Sequence, residues 1–519
     1  MIHGMVRGFV CIENGIIRAA GPEEDIDLWL RSGDSMWDAS GEWILPAWTD
    51  SHLHVFNMAR LKRLVGLQGC ASVEDLAGRL GAGDPGDWCL GRGWDETTLG
   101  VTPDRELLDR LVPERPALIW RRCGHVATAN SAALRLAKVG SGTEVFGGKV
   151  DLDAHGEPTG VLREHAIELV ARHVPDPSPE VFRRDVATAL AELAAMGLAA
   201  VYTNDDPLHT GDPLAFYHDL HISSGELVLP RVRWDVPVEE MDRQIAQGRS
   251  SGHGDEAVAL GSIKFVTDGS LGGRTAYMLE PYAGDAERGI FRFDEADLRE
   301  SVERAAAHGL RSCLHAIGDA AARIVLDALE AALPHAERTR PRIIHSQFVH
   351  PDDRPRYRRM HAIADVQPLF AVSDLVLRER VGRAWDHGYA WRSLLAAGAP
   401  MSFSSDAPIE SANPILGVRA ALARGGVFPE VPGWDRERLD LASALEIYSL
   451  GGAYAGMEET WRGRLVPGMA GDVVVVDPHF FFQSQEGGSA AYEDAPGTRP
   501  SQVLIAGRPV QPSGWQTRS

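Results

Sequence analysis

Short runs of apolar residues recur along the middle of the chain, separated by stretches whose apolar positions follow helical spacing. The runs lie at 47–54, 198–204, 229–235, 261–267, 311–316, 342–347, 363–368 and 401–406, eight in all, and stretches such as 185–195 and 296–308 carry the helical pattern between them. Runs rich in Val, Ile, Leu and Ala, buried on both faces, are what βα units and a parallel sheet require. Eight such units close as a (β/α)8 TIM barrel, an α/β fold. The two ends of the chain read differently. Residues 5–20, 42–46, 472–477 and 503–510 have the pattern of short strands punctuated by glycines, which predicts a small sheet domain made from 1–46 and 456–519, flanking a barrel over 47–455. About 140 residues separate the first two barrel runs; a structureless loop of that length is implausible, so an inserted, folded cap is expected at about 60–180. The stretch 483–492 is poor in large apolar residues and is expected to be a loop.

Composition narrows the function without choosing it. The 519 residues carry a net charge of −21, which argues against a nucleic-acid or anionic-membrane partner, since either needs a basic patch. The five cysteines form no CxxC pair, so reduced thiols in a cytoplasmic protein are expected rather than a disulfide framework. The first residues lack the basic and apolar regions of a signal peptide, and no window approaches the roughly 18 apolar residues of a membrane helix.

The candidate chemistry sits at the ends of the apolar runs. His52 and His54 lie two apart at the end of the first run with Asp50 before them, a spacing that puts all three side chains on one face of a strand, where they could share one or two ions. A lone His-x-His is weak; exposed or core histidines are its commoner explanation. Lys264, flanked by Ile263 and Phe265, is directed into the barrel, where an unpaired ammonium is costly. It is expected either to pair with Asp268 or to be a modified lysine bridging two metals. His315 and His345 stand one βα unit apart, and Asp406 ends the last run, where its alternative role is capping the next helix. Barrel active sites are assembled at the C-terminal ends of different strands, so the joint placement of His52, His54, Lys264, His315, His345 and Asp406 points to a metal-dependent hydrolase.

In this order, HxH, strand-four Lys, two single His and a final Asp, the residues resemble the amidohydrolase superfamily. The phrases Gly91-Arg-Gly-Trp-Asp, Gly124-His-Val-Ala-Thr-Ala-Asn130, Asp268-Gly-Ser-Leu-Gly-Gly-Arg-Thr-Ala276, His315-Ala-Ile-Gly-Asp319 and Ser405-Asp-Ala-Pro408 resemble its YtcJ-type (amidohydrolase 3) branch, which includes N-substituted formamide deformylases. The resemblance implies a barrel flanked by a β-sandwich, one or two divalent ions per chain, usually zinc, and a carboxylated Lys264 as bridging ligand. It assigns His52 and His54 with Asp406 to one ion, and His315 and His345 to the other. The opening Leu45-Pro-Ala-Trp-Thr-Asp50 departs from the more usual Pro-Gly-Phe-Ile-Asp, below the ligands.

The expected reaction is hydrolysis of an amide-like C–N bond in a small molecule, with Asp406 moving the proton from a metal-activated water to the leaving nitrogen. His125 is a candidate donor to the substrate carbonyl, and Trp94, Asp95 and Arg274 are candidates for the substrate pocket. A homodimer is the expected assembly. Two rival classes remain: a mononuclear deaminase on the same barrel, which would not need the inward lysine, and a non-catalytic binding protein, which would be expected to have lost a ligand.

Overall fold

The computed structural model describes residues 7–83, 86–122, 124, 126–145, 148–423, 434–482, 497–511 and 516–517. They fall into two compact units, one of Met1–Asn57 with Val186–Ser519 and one of Met58–Asp185.

In the first unit, Trp48–Leu53, Leu198–Asn204, Arg231–Pro237, Val258–Val266, Arg311–Ala316, Arg342–His345, Ile363–Val366 and Met401–Phe403 form an eight-stranded sheet hydrogen-bonded in sequence order. The paired strands run parallel. Residues at the end of the last strand bond back to the first: Ser51 Oγ donates to the Phe403 carbonyl at 2.9 Å, and the Asp406 amide to the His52 carbonyl at 2.8 Å. These bonds draw the sheet's edges together into the barrel. Each strand is buried along nearly all its length, as sequences such as Leu-Ala-Ala-Val-Tyr at 198–202 require. The helix Glu295–Ala307 starts where the Asp294 carboxylate accepts from the amides of Ala296 and Asp297, and it buries Leu298, Val302 and Ala305 at one-turn spacing. The stretch read as helical at 185–195 belongs to a longer helix, Pro179–Ala195.

Strand limits differ from the apolar runs in an informative way. The third strand begins at Arg231, two residues later than the run, because Pro230 has no amide to donate. The sixth ends at His345 and the eighth at Phe403, each earlier than the run. His345, Ser346 and Asp406 have φ of 74°, 42° and 59°, left-handed values no strand continues through. The pattern of apolar residues runs on where the backbone has already turned.

Both ends of the chain contribute to one four-stranded sheet, in which Val473–Val476 pairs antiparallel with Trp43–Pro46 and with Gln502–Ile505. A hairpin joins Gly8–Glu13 to Ile16–Pro22 through Asn14 and Gly15, both at positive φ, the pair that a tight two-residue turn needs. Gly197 is required for a different reason: a Cβ there would lie 2.8 Å from both Trp48 and Val474. The loop expected at 483–492 lies outside the described residues.

The second unit is a six-stranded mixed sheet, ordered Gly148–Leu152, Pro158–Glu164, Val126–Ala129, Ala117–Arg121, Cys89–Trp94 and Val65–Gly66. Alternate residues face opposite sides: Cys89 and Ile119 pack with Leu76 and Leu107, while Leu90 and Leu118 pack with Leu134 and Ile167. Helices thus cover both faces of this sheet. Among the described residues, no helix is long and apolar enough to cross a membrane.

Candidate metal centre

The six candidate ligands come from five strands or strand ends of the barrel, and the structure brings them together in two groups. His52 and His54, on one face of the first strand and its continuation, meet Asp406: His54 Nε2 lies 3.1 Å and His52 Nε2 3.4 Å from Asp406 Oδ1. One ligand atom from each of the three lies within 4.8 Å of the others. Lys264 Nζ joins them, 3.1 Å from His52 Nε2. In the second group His345 Nε2 lies 3.0 Å from His315 Nδ1, and the His52 and His345 ring centres are 5.8 Å apart.

Local backbone geometry makes this possible. Arg342 and His345 are three residues apart, yet both side chains meet groups of the barrel interior; strict alternation would place them on opposite faces. The left-handed backbone at His345 is where the alternation breaks. Non-glycine residues hold such conformations only where their surroundings enforce them, and these cluster at functional sites.

The outward nitrogens of three rings fix which nitrogen faces inward. His54 Nδ1 lies 2.8 Å from the Asn204 carbonyl and His315 Nε2 3.0 Å from the Gly269 carbonyl, so both must donate. His345 Nδ1 lies 2.8 Å from Gln367 Oε1, whose amide nitrogen donates to Ser404 Oγ at 2.7 Å. Neutral rings so arranged carry lone pairs on His315 Nδ1 and His345 Nε2, and His54 Nε2, which here donates to Asp406, would offer one once that proton is displaced by a cation. Two lone pairs 3.0 Å apart, as on His315 and His345, repel unless a proton or a cation lies between them. Imidazole nitrogens with a carboxylate are a donor set suited to zinc and similar divalent ions, so the residues present fit such a group.

Electrostatics agree. Burial holds the pKa values of His52 and His345 well below the usual imidazole range, with Lys264 beside the first and His315 beside the second adding to the effect. Burial also lowers that of Lys264. His54 and Asp406 are the exceptions: burial disfavours the charged form of each, but their mutual hydrogen bond outweighs it, raising the His54 imidazole above its usual range and holding the Asp406 carboxyl below its own.

The remaining expectations fare differently. Lys264 does not pair with Asp268, whose carboxylate faces His315 Nε2 at 3.2 Å and accepts from the amides of Tyr277, Ile317 and Gly318. Asp50 is no third ligand beside the histidines: it accepts from Ser405 Oγ and from the amides of Ser405 and His52, and so ties the first strand to the last. Arg274, a candidate for the substrate pocket, pairs with Asp285 at 3.4 Å. In the second unit Trp94 is a core residue, 1% exposed, with its indole donating to the Ile119 carbonyl, so packing accounts for it. Asp95 caps the helix Glu96–Leu99 by accepting from the Thr97 amide and lies 3.5 Å from Arg121. His125 lies outside the described residues. Sequence reading missed Asn204, Asp268 and Gln367 as orienting groups; the only hint for each was a polar residue closing an apolar run or directly following one.

Residues 36–511 match the amidohydrolase family. This chain belongs to that family. The Bacillus subtilis amidohydrolase-family protein YtcJ is 30% identical over 90% of this chain and 92% of its own length. N-substituted formamide deformylase of Arthrobacter pascens is 24% identical over 90% of this chain and 89% of its own. Among solved structures, an uncharacterized metal-dependent hydrolase from Pyrococcus horikoshii superposes with a TM-score of 0.74 at 29% identity, covering 91% of this chain and 93% of that one. Membership makes the chain a hydrolase of the amidohydrolase superfamily, on a barrel built as described above.

Proposed function

We propose that this amidohydrolase is a metal-dependent enzyme that hydrolyses an amide-like C–N bond of a small molecule: an N-acyl, N-formyl or cyclic amide. The observation that carries the reading is the convergence of imidazole lone pairs on two points beside one lysine and one aspartate, with the far side of three rings held by protein oxygens. The kinship to a formamide deformylase supports the choice of bond. His52, His54 and Asp406 would hold one ion and His315 and His345 the second, with Lys264 as a carboxylated bridge. Bound divalent ions would lower the pKa of water from 15.7 to about 7 and polarise the scissile carbonyl. Asp406, oriented by His54, takes the proton of the attacking water and delivers it to the nitrogen as the C–N bond breaks, leaving an amine and a carboxylic acid.

The test is Lys264→Ala in the full chain, measured for metal content and for hydrolysis of a panel of N-formyl, N-acyl and cyclic amides. Loss of metal together with loss of activity, partly restored by short carboxylates, is expected; full activity with normal metal content would remove the bridging role. One observation favours a single-ion reading instead. Among the described residues only His52, His54 and Asp406 form a group of three ligating side chains with their atoms this close. One ion per chain with Lys264 unmodified, and release of ammonia from an amino-substituted ring, would decide for that alternative.

A further inference from the structure

The opposite end of the barrel holds a second feature that the reaction does not use. A cavity of about 330 Å³ opens at the N-terminal ends of the strands, lined in part by Arg233, Arg311, Glu458 and Trp461, with Asp255 and Glu256 exposed at its rim. The arginines at this end of the barrel are unequally partnered. Glu458 has both oxygens committed, Oε1 to Arg233 Nε and Oε2 to Arg462 Nε, each at 2.6 Å. Asp472 is taken by Arg231 at 2.8 Å, and Asp235 by Arg342. Arg311, the first residue of the fifth strand, is 4% exposed and has no carboxylate within salt-bridge distance among the described residues. Among the described residues its side chain has one bond, from Nη1 to the Ala455 carbonyl at 3.2 Å, and its buried Nε has no partner. Burial lowers its pKa, as for a cation poorly compensated by its surroundings.

Burying a charge without its counter-charge costs several kcal/mol, so such a group is retained where something else supplies the charge. A guanidinium fork is shaped for a carboxylate or phosphate. The lining sets three arginines, Arg233, Arg311 and the exposed Arg338, against Asp255, Glu256 and Glu458, so it has no net charge to hold a multiply charged anion, which favours a singly charged one. We infer that this cavity at the floor of the barrel is a binding site for a small carboxylate anion, held by Arg311 and remote from the candidate metal centre. The inference stands on Arg311 and its cavity and does not depend on the reaction proposed above.

The experiment titrates the full, metal-loaded protein with acetate, succinate and inorganic phosphate at constant ionic strength, read by calorimetry and by tryptophan fluorescence, with Trp461→Phe to assign the signal. A saturable acetate isotherm is expected, weaker for phosphate, and at least about tenfold weaker in Arg311→Met, the effect of losing one charge-assisted hydrogen bond. Without added anion, Arg311→Met is expected to melt no lower than the parent, since it removes an uncompensated charge. Glu256→Lys, at the exposed rim, is expected to tighten acetate binding severalfold and covers the case in which Arg311→Met does not fold. An identical isotherm in Arg311→Met, an unchanged one in Glu256→Lys, or no saturation in the parent at tens of millimolar would each overturn the site.

Discussion

The mouth and the floor of this barrel are built on the same strands, and both bury ionisable side chains, yet the two arrangements differ in kind. At the floor most charges are answered: Arg231 by Asp472, Arg233 and Arg462 by Glu458, Arg342 by Asp235, with Arg311 the exception. At the mouth, four imidazoles and a lysine gather about one carboxylate, and the far nitrogens of three of the rings are held by protein oxygens. Paired charges of opposite sign need nothing further and serve stability. Converging lone pairs are a defect of the isolated chain that a cation repairs. Burial alone therefore does not separate a structural polar cluster from a functional one; what separates them is whether the groups satisfy one another.

The two ends of the barrel should respond differently to substitution. The largest effect is expected at the mouth: Asp406→Asn keeps the shape and removes the proton acceptor, so kcat for an amide substrate should fall roughly 10²–10⁴-fold with little change in melting temperature. A near-parental rate would show that the mouth is also only structural.

At the floor the expected effect is on stability and depends on pH. Burial pushes Glu458 up, but Arg462 and Arg233 outweigh it and hold its carboxyl down at about 2. Because the folded pKa lies below the unfolded one, its contribution is complete above about 4.5 and is lost as pH falls from there toward 2, on the order of 3 kcal/mol in all. Urea midpoints across that range should decline more steeply for the parent than for Glu458→Gln. Parallel curves would mean that the pairing is not what holds the floor.

A smaller effect tests the link between the centre and its supports. Gln367→Leu removes the acceptor for His345 Nδ1 and frees the ring to turn. Metal affinity should fall by about 10–100-fold, as for other groups that orient ligands, and competition with a chelator would measure it. Unchanged affinity would mean that the left-handed backbone at His345 is enough to aim the ring. The smallest effect belongs to the second unit, where Asp95→Ala should cost about 1 kcal/mol as a lost helix cap, read from urea unfolding, and leave the metal content of the protein unchanged.

The eight barrel strands are legible in the order of residues alone, because buried parallel strands must be written as unbroken apolar runs. The candidate ligands were legible for a related reason: a polar residue closing such a run has to face the interior or the mouth. The sequence also marked the segment between the first two strands as a separate folded piece, because a chain that long is not left without structure. Only the tertiary structure decided what each polar residue does once there. Asp268, one of two expected explanations for Lys264, supports His315; Asp50 ties two strands together; Trp94 fills a core; and Arg311, which no motif marks, has no counter-charge in contact among the described residues. Periodicity is a property of neighbours along the chain and survives in the sequence. Pairing joins residues such as His54 and Asp406, hundreds of positions apart, and is set by backbone turns at His345 and Asp406 that the apolar pattern runs straight through.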